Sequence, residues 1–282
     1  MKRHFRFKNG LAVVTGASSG IGLDLSIILA EKGMNVIGVA RREELLIKLK
    51  EDISNNEKAK RNGGKFTPLK SDVTTEIGKE NIYKKVKEMG GVLDLLVNNA
   101  GRGYDSLITE GTQVHEREIL ELNVLAPLEL SRMLTGVLSA DSKNRRPTIV
   151  NVSSIVAYYP LQAIGFYSAT KAALSSMTKS MRADLKSKKI HLIGCHPGMT
   201  STPFNVASER NEEKTRPTIN QGGRSAKKQA KIILRSIKWR RKKADPIEAL
   251  PYRIISSFSN GLVNIGSKYF YRKSHPLNEK GD

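Results

Sequence analysis

The chain has 282 residues, 39% of them hydrophobic and 27% charged, which is enough apolar material for a core and excludes a wholly disordered polymer. Forty-eight Lys and Arg against 27 Asp and Glu give a net charge of +21, so the surface attracts anions such as phosphate, anionic lipid, acidic carrier proteins or nucleic acid. A single cysteine, Cys195, excludes an internal disulfide, and the five histidines lack metal-ligand spacing, so no metal site is expected.

Residues Met1 to Asn9 are charged and lack the apolar run and cleavage site of a signal peptide. No uncharged apolar stretch long enough to span a bilayer follows, and a cytoplasmic protein is expected. Short apolar runs then alternate with longer amphipathic segments. Leu11 to Thr15 precedes Gly20 to Lys32, Asn35 to Val39 precedes Glu43 to Ile53, and Phe66 to Leu69 precedes a segment around Lys79 to Met89. Leu93 to Val97 leads to a helix near Gln113 to Leu134, Thr148 to Val152 to a helix near Phe166 to Leu185, and Ile190 to Cys195 closes the series with Cys195 as a buried thiol. This alternation predicts an α/β, doubly wound fold: a mostly parallel sheet flanked by helices, with ligands bound beyond the carboxyl ends of its strands.

One catalytic domain over residues 1–243 is expected, with the polar, Pro-containing segment of about 200–223 as a lid insertion. From Arg224 to Asp282, 15 Lys and Arg face four Asp and Glu, so about half the excess charge lies in the last fifth of the chain. Ser225 to Lys243 has helical spacing, whereas Ala244 to Pro251 carries two prolines and makes a short edge strand at best. In the basic 244–282 extension, Ile254, Ile255, Phe258, Leu262, Ile265 and Tyr269 form an amphipathic stripe flanked by Arg253, Lys268, Arg272 and Lys273. It has two readings: a helix packed on the body or another subunit, and a helix lying in an anionic membrane interface, which would make the protein peripherally membrane-associated.

Thr15-Gly16-Ala17-Ser18-Ser19-Gly20-Ile21-Gly22 follows the first strand and opens the first helix. Glycines there permit a tight turn and let a pyrophosphate approach backbone N–H groups at a helix N-terminus. A binder of the unphosphorylated dinucleotide usually carries an acidic residue at the end of the second strand, for the ribose 2′-hydroxyl. Here Ala40-Arg41-Arg42 stands instead, and guanidinium groups favour a 2′-phosphate, which points to NADP(H). Tyr167 and Lys171 share a helical face one turn apart, with Ser154 thirteen residues before the tyrosine. Alone, such a pair is usually a surface feature.

Four landmarks in order lift it. The Thr-Gly-x-x-x-Gly-Ile-Gly turn, Asn98-Asn99-Ala100-Gly101, the Ser154/Tyr167/Lys171 set, and Pro197-Gly198 followed by Thr202 resemble the classical short-chain dehydrogenases/reductases over Leu11 to about Pro203. Asp72-Val73 falls where that family contacts adenine, and Asn123 where it has its fourth catalytic residue. The resemblance implies a Rossmann fold and NADP(H)-dependent exchange between a carbonyl and a secondary alcohol. It implies Tyr167 as general acid or base, its phenolate favoured by Lys171 and the positive nicotinamide ring, and Ser154 on the substrate oxygen. Asn123 would kink its helix and hold a water leading to Lys171. It further implies cofactor contacts from Thr15, Gly16, Ser18, Ser19, Gly20, Ile21, Gly22, Arg41, Arg42, Asp72, Val73, Asn99, Ala100, Gly101, Tyr167, Lys171, Pro197, Gly198, Thr200 and Thr202.

Ser153 is expected to point away from the site and His196 to serve a structural role at a strand end. Ile155 to Phe166 supplies an apolar wall, so the expected substrate is a small hydrophobic, lipid-like carbonyl or alcohol. A homo-oligomer is expected, and an acidic carrier protein is the alternative substrate carrier. The alternative from a different class is a dinucleotide-sensing module for an anionic partner, against which the intact Asn123, Ser154, Tyr167 and Lys171 argue; nucleic acid is not an expected partner.

Overall fold

The computed structural model describes residues 4–138, 146–201, 209–210 and 224–246. Leu11–Thr15 (β1) is buried along its whole length because it lies at the centre of a six-stranded sheet. Its neighbours are Asn35–Ala40 (β2) and Leu95–Asn98 (β4); Lys65–Lys70 (β3) lies outside β2, and Thr148–Val152 (β6) and His191–Cys195 (β7) lie outside β4. Every pairing in this sheet is parallel, in the order β3-β2-β1-β4-β6-β7. The chain starts in the middle, winds one way, then returns and winds the other, which is the doubly wound architecture expected.

Side-chain alternation along β1 divides the core between the two faces. Ala12 and Val14 join Leu25 and Leu29 of Gly20–Glu31 (α1), Leu46 and Leu49 of Glu43–Asn55 (α2), and Ile233 and Ile237 of Ala226–Lys238 (α8). Leu11 and Val13 join Ile82 and Val86 of Glu76–Glu88 (α4) and Leu130 and Leu134 of Ala126–Leu134 (α6). Gly165–Asp184 (α7) packs on this second side through Met181.

Four local differences from the sequence reading have physical causes. A short helix, Glu57–Asn62 (α3), follows α2 because Asn56 caps it, accepting from the N–H groups of Lys58 and Ala59 at 3.0 Å, and Gly63 ends it in the left-handed region. The long helix expected near Gln113 to Leu134 is Gln113–Leu120 (α5), a π-helical turn at Glu121–Leu125, and α6. Pro127 has no N–H to offer the carbonyl four residues back, and the ladder widens there. The last helix is shorter than Ser225 to Lys243, since Ser225 is its N-cap and the helix stops at Lys238. Beyond it the chain meets β7 at one bridge: the Gly194 N–H donates to Lys242 at 3.1 Å and the Ala244 N–H to Gly194 at 2.9 Å. Pro246 cannot extend that ladder. Ala244 is buried in the core, so the body of the domain runs past residue 243.

Outside the main sheet, Thr200–Ser201 (β8) pairs with Arg224–Ser225 (β10), and Tyr104–Asp105 (β5) pairs with Glu209–Arg210 (β9). The amphipathic stripe from Ile254 to Tyr269 lies outside the described residues. Among those described, no helix is long and apolar enough to cross a membrane. Cys195 is buried, and burial raises its thiol pKa, in keeping with an inert core residue.

Candidate active site

Six of the segments singled out in the sequence lie at the carboxyl edge of the sheet. The Gly-rich turn follows β1, Arg41-Arg42 follows β2, Asp72-Val73 lies beyond β3, Asn99-Ala100-Gly101 follows β4, Ser154 follows β6 and Pro197-Gly198 follows β7.

The turn after β1 is drawn tightly onto the β4 end. Thr15 Oγ1 accepts from the N–H groups of Asn99 and Ala100, both at 3.0 Å, and Asn99 Nδ2 donates to the carbonyls of Thr15 at 2.9 Å and Gly16 at 3.2 Å. Gly16 and Gly20 have positive φ. At Gly22 a β-carbon would stand 2.3 Å from the Gly16 carbonyl oxygen, so only glycine fits. No side chain caps the N-terminus of α1. Its first-turn N–H groups are the donors an anion uses, and this closely approached backbone suits a pyrophosphate. Ile21 packs against the core beside it.

The two arginines part company. Arg42 reaches back over the turn and donates to Ser18 Oγ at 3.0 Å and Ser19 Oγ at 3.1 Å. Arg41 is 68% exposed and lies 3.8 Å from Asp72 Oδ2. Asp72 Oδ1 meanwhile accepts from the Thr74 N–H at 3.0 Å and hydroxyl at 2.7 Å, which fixes the loop ahead of Val73.

At the other end, the hydroxyls of Ser154 and Tyr167 are hydrogen-bonded to each other. The Lys171 ammonium stands 5.8 Å from the Tyr167 ring centroid and donates to the Val152 carbonyl at 3.3 Å. Ser154 is the extended N-cap of the single 3-10 turn Ile155–Ala157, and its Oγ accepts from the Val156 N–H at 3.3 Å. Ser153 follows the alternation of β6: Asn151 and Ser153 both reach α7, the Ser153 hydroxyl donating to the Lys171 carbonyl at 2.7 Å, while Ser154 turns to the Tyr167 hydroxyl. The two serines thus hold α7 by different atoms.

Asn123 is fully buried in the π-helical turn. Its Oδ1 accepts from the Arg102 N–H at 3.1 Å, and its Nδ2 donates to the Arg102 carbonyl at 3.0 Å and Thr170 Oγ1 at 3.2 Å. That pins the Gly101-Arg102 turn beside Lys171. Behind it, Asn98 Nδ2 donates to Asn151 Oδ1 at 2.8 Å, and Asn151 Nδ2 to Thr178 Oγ1 at 2.9 Å, a buried chain tying β4 and β6 to α7. Sequence spacing gave no sign of this chain.

Burial pushes the Tyr167 pKa upward, more than its hydrogen bond from Ser154 lowers it. Burial also pulls Lys171 down to about 8. Burial thus leaves Tyr167 as the neutral phenol, able to donate a proton.

Near Pro197-Gly198, the Ile155 N–H donates to the Pro197 carbonyl at 2.9 Å, and among the described residues a β-carbon on Gly198 would meet Ile155 Cδ1, at an ordinary 3.6 Å. Thr200 is buried, with its hydroxyl donating to the Gly198 carbonyl at 2.9 Å. Thr202 lies outside the described residues. Among the described residues no group of His, Cys, Asp or Glu could hold a metal.

Fold and site together define an enzyme built around a dinucleotide cradle and a Ser-Tyr-Lys set. The sequence profile of the short chain dehydrogenase family matches residues 10–213, and the chain belongs to that family. Among its relatives, the farnesol dehydrogenase of Aedes aegypti is 33% identical over 203 residues, covering 70% of this chain and 80% of that protein. The 3-oxoacyl-[acyl-carrier-protein] reductase of Vibrio cholerae is 32% identical over 211 residues, covering 75% and 81%. The fold matches a short-chain dehydrogenase/reductase from Burkholderia phymatum, solved in complex with NAD, with a TM-score of 0.77, 21% identity and coverage of 99% of this chain and 100% of that one.

Proposed function

We propose that this chain is an NADP(H)-dependent oxidoreductase that interconverts a carbonyl and a secondary alcohol on a hydrophobic, lipid-like substrate. The observation that carries it is the Ser154–Tyr167 hydrogen bond with the Lys171 ammonium 5.8 Å from the same ring. NADP(H), when bound, supplies or accepts the hydride. Gly16, Ser18, Ser19, Gly20, Ile21 and Gly22 would hold its pyrophosphate, with Thr15 bracing the turn. Arg42, assisted by Arg41, would hold the 2′-phosphate, and Asp72 and Val73 the adenine. Asn99, Ala100, Gly101, Tyr167, Lys171, Pro197, Gly198, Thr200 and Thr202 would surround the ribose and nicotinamide.

Ser154 and Tyr167 then orient the substrate oxygen. Ser154 stabilises developing negative charge as a neutral, preorganised donor, and the Tyr167 phenol delivers its proton to that oxygen during reduction. The Lys171 ammonium favours the phenolate that Tyr167 becomes, and Asn123 holds the turn against which Lys171 packs. Tyr158, Leu161, Ile164 and Phe166, all partly buried in the loop between Ser154 and Tyr167 and at the start of α7, supply apolar wall for a hydrophobic substrate. The named activity of the Aedes relative fits such a substrate.

The second reading is reduction of the 3-oxo group of a 3-oxoacyl chain carried on an acidic carrier protein. The Vibrio relative favours it, as does the exposed face of α8, on which Lys227, Lys228, Lys231, Arg235 and Lys238 stand without an acidic residue in the helix.

NADPH oxidation over a panel of hydrophobic ketones, aldehydes and acyl-carrier substrates, run with wild type and Tyr167→Phe, tests both. Turnover that Tyr167→Phe abolishes supports the enzyme reading and names the substrate class. If no carbonyl separates the two proteins, the reading falls.

A further inference from the structure

His196 lies between Cys195 and Pro197, whose carbonyls accept from the N–H groups of Ser153 at 2.7 Å and Ile155 at 2.9 Å. The backbone around His196 thus brackets Ser154 on both sides. The imidazole then faces three other segments. Nε2 is 2.5 Å from Ser175 Oγ, one helical turn beyond Lys171 on α7. Nδ1 is 2.7 Å from Asp245 Oδ1, on the segment after α8, and 3.1 Å from Tyr158 Oη, in the loop joining Ser154 to Tyr167.

A carboxylate oxygen only accepts, so Nδ1 carries the proton and Nε2 accepts from the Ser175 hydroxyl. Burial lowers the His196 pKa more than Asp245 raises it, which leaves the ring neutral; the cations Lys243 and Lys179 lower it further. Lys243 also stands 5.4 Å from the Tyr158 ring, and Arg182 feels both Tyr158 and Asp245.

The order Ser–His–Asp is that of a nucleophilic triad. Here it faces inward: Ser175 is 7% exposed and the His196 and Asp245 side chains 3% and 9%. A substrate carbonyl has no approach to Ser175, and the arrangement serves position instead of attack.

We propose that His196 is the positioning residue of the site: through Asp245, Tyr158 and Ser175, one imidazole holds the end of β7, the Ser154–Tyr167 loop and α7 in mutual register and so sets where Ser154 and Lys171 stand. This role rests on the oxidoreductase reading above. It also makes the segment after α8 part of the catalytic body, because Asp245 fixes the tautomer that Ser175 needs.

The full-length protein carrying Ser175→Ala, Asp245→Asn or His196→Gln tests it. Ser175→Ala removes one hydroxyl and keeps the fold even where a change at His196 does not. Ser175→Ala and Asp245→Asn are expected to bind NADPH with unchanged Kd, to lose about tenfold in kcat with KM little changed, and to exchange the Ser153 and Ile155 amide protons faster than wild type. His196→Gln, which keeps a polar group near the Nε2 position, is expected to retain more turnover than His196→Ala. Wild-type amide protection in the folded Ser175→Ala and Asp245→Asn proteins overturns the proposal. So does unchanged kcat on a substrate that Tyr167→Phe cannot turn over. If wild type reduces no carbonyl, the enzyme reading fails by itself, and amide exchange still decides whether His196 holds these strands.

Discussion

The Cα of Gly101 packs directly against the Lys171 ammonium: a β-carbon there would stand 3.1 Å from Lys171 Nζ and 2.9 Å from Asn123 Oδ1. Neither neighbour is free to yield. Lys171 is held by Val152 and by its helix, and Asn123 by Arg102 and Thr170. Gly101→Ala is therefore expected to lower stability by about 1–3 kcal/mol, the range for overpacking a filled site, and to reduce turnover as Lys171 is displaced. Denaturant titration alongside NADPH-coupled turnover checks both. A variant with wild-type kcat means that the contact is not rigid.

The unequal placement of the two arginines yields a selectivity test. Arg42 sits on the Ser18 and Ser19 hydroxyls at the rim of the cradle, whereas Arg41 is turned outward to Asp72. Removing a charge-assisted hydrogen bond costs about 1.5–3 kcal/mol. Arg42→Ala is thus expected to weaken NADPH binding by about 10- to 100-fold and leave NADH unchanged, with Arg41→Ala the milder of the two. Fluorescence titration with both dinucleotides measures this. Equal weakening of NADH and NADPH assigns Arg42 to the pyrophosphate and removes the support for 2′-phosphate selectivity.

Much of this architecture was legible because local chemistry repeats it. The strand–turn–helix around Gly16 to Gly22 is written in adjacent residues, and Tyr167 and Lys171 are linked by helical periodicity. What escaped the sequence was contact at a distance. The hydrogen bond from His196 to Asp245 crosses 49 residues, and that from Asn98 to Asn151 crosses 53. Neither pair has a spacing that marks it. The π-helical turn at Glu121–Leu125 had a visible cause in Pro127, yet its consequence, a carboxamide turned onto Arg102, needs the fold.

Ser153 and Ser154 separate stability from chemistry. The Ser153 hydroxyl is buried on the Lys171 carbonyl, while the Ser154 hydroxyl is bonded to the reacting phenol. Ser154→Ala is expected to lower kcat by about 10²- to 10³-fold, as for loss of a preorganised oxygen-stabilising donor, with little change in unfolding free energy. Ser153→Ala should do the reverse: it removes one buried hydrogen bond from a carbonyl that keeps its helical partner and costs about 0.5–1.5 kcal/mol, with only a modest effect on kcat. Paired denaturation and kinetic measurements distinguish them. Interchanged phenotypes would move the substrate oxygen to Ser153.

Lys171 leaves a signature in stability against pH. Its pKa falls from the ordinary 10.5 to about 8 in the folded protein because burial disfavours the ammonium. Between those two values the unfolded chain binds more protons at this position than the native protein, so stability rises with pH across that window. Below about pH 8 both states are protonated and the burden of the buried charge is felt in full. Tyr167 and Cys195, whose pKa values are raised by burial, give the opposite slope above their ordinary 10.0 and 9.0. Comparison with Lys171→Met removes those shared contributions. Wild type should gain on the variant by about 3 kcal/mol as pH rises from 8 to 10.5, the free energy that corresponds to moving the group between those values. Urea unfolding of both proteins across that range measures the difference. A flat difference curve would show that the Lys171 ammonium is as well stabilised inside the site as in water, and the neutral phenol assigned to Tyr167 would then have to give way to a phenolate paired with it.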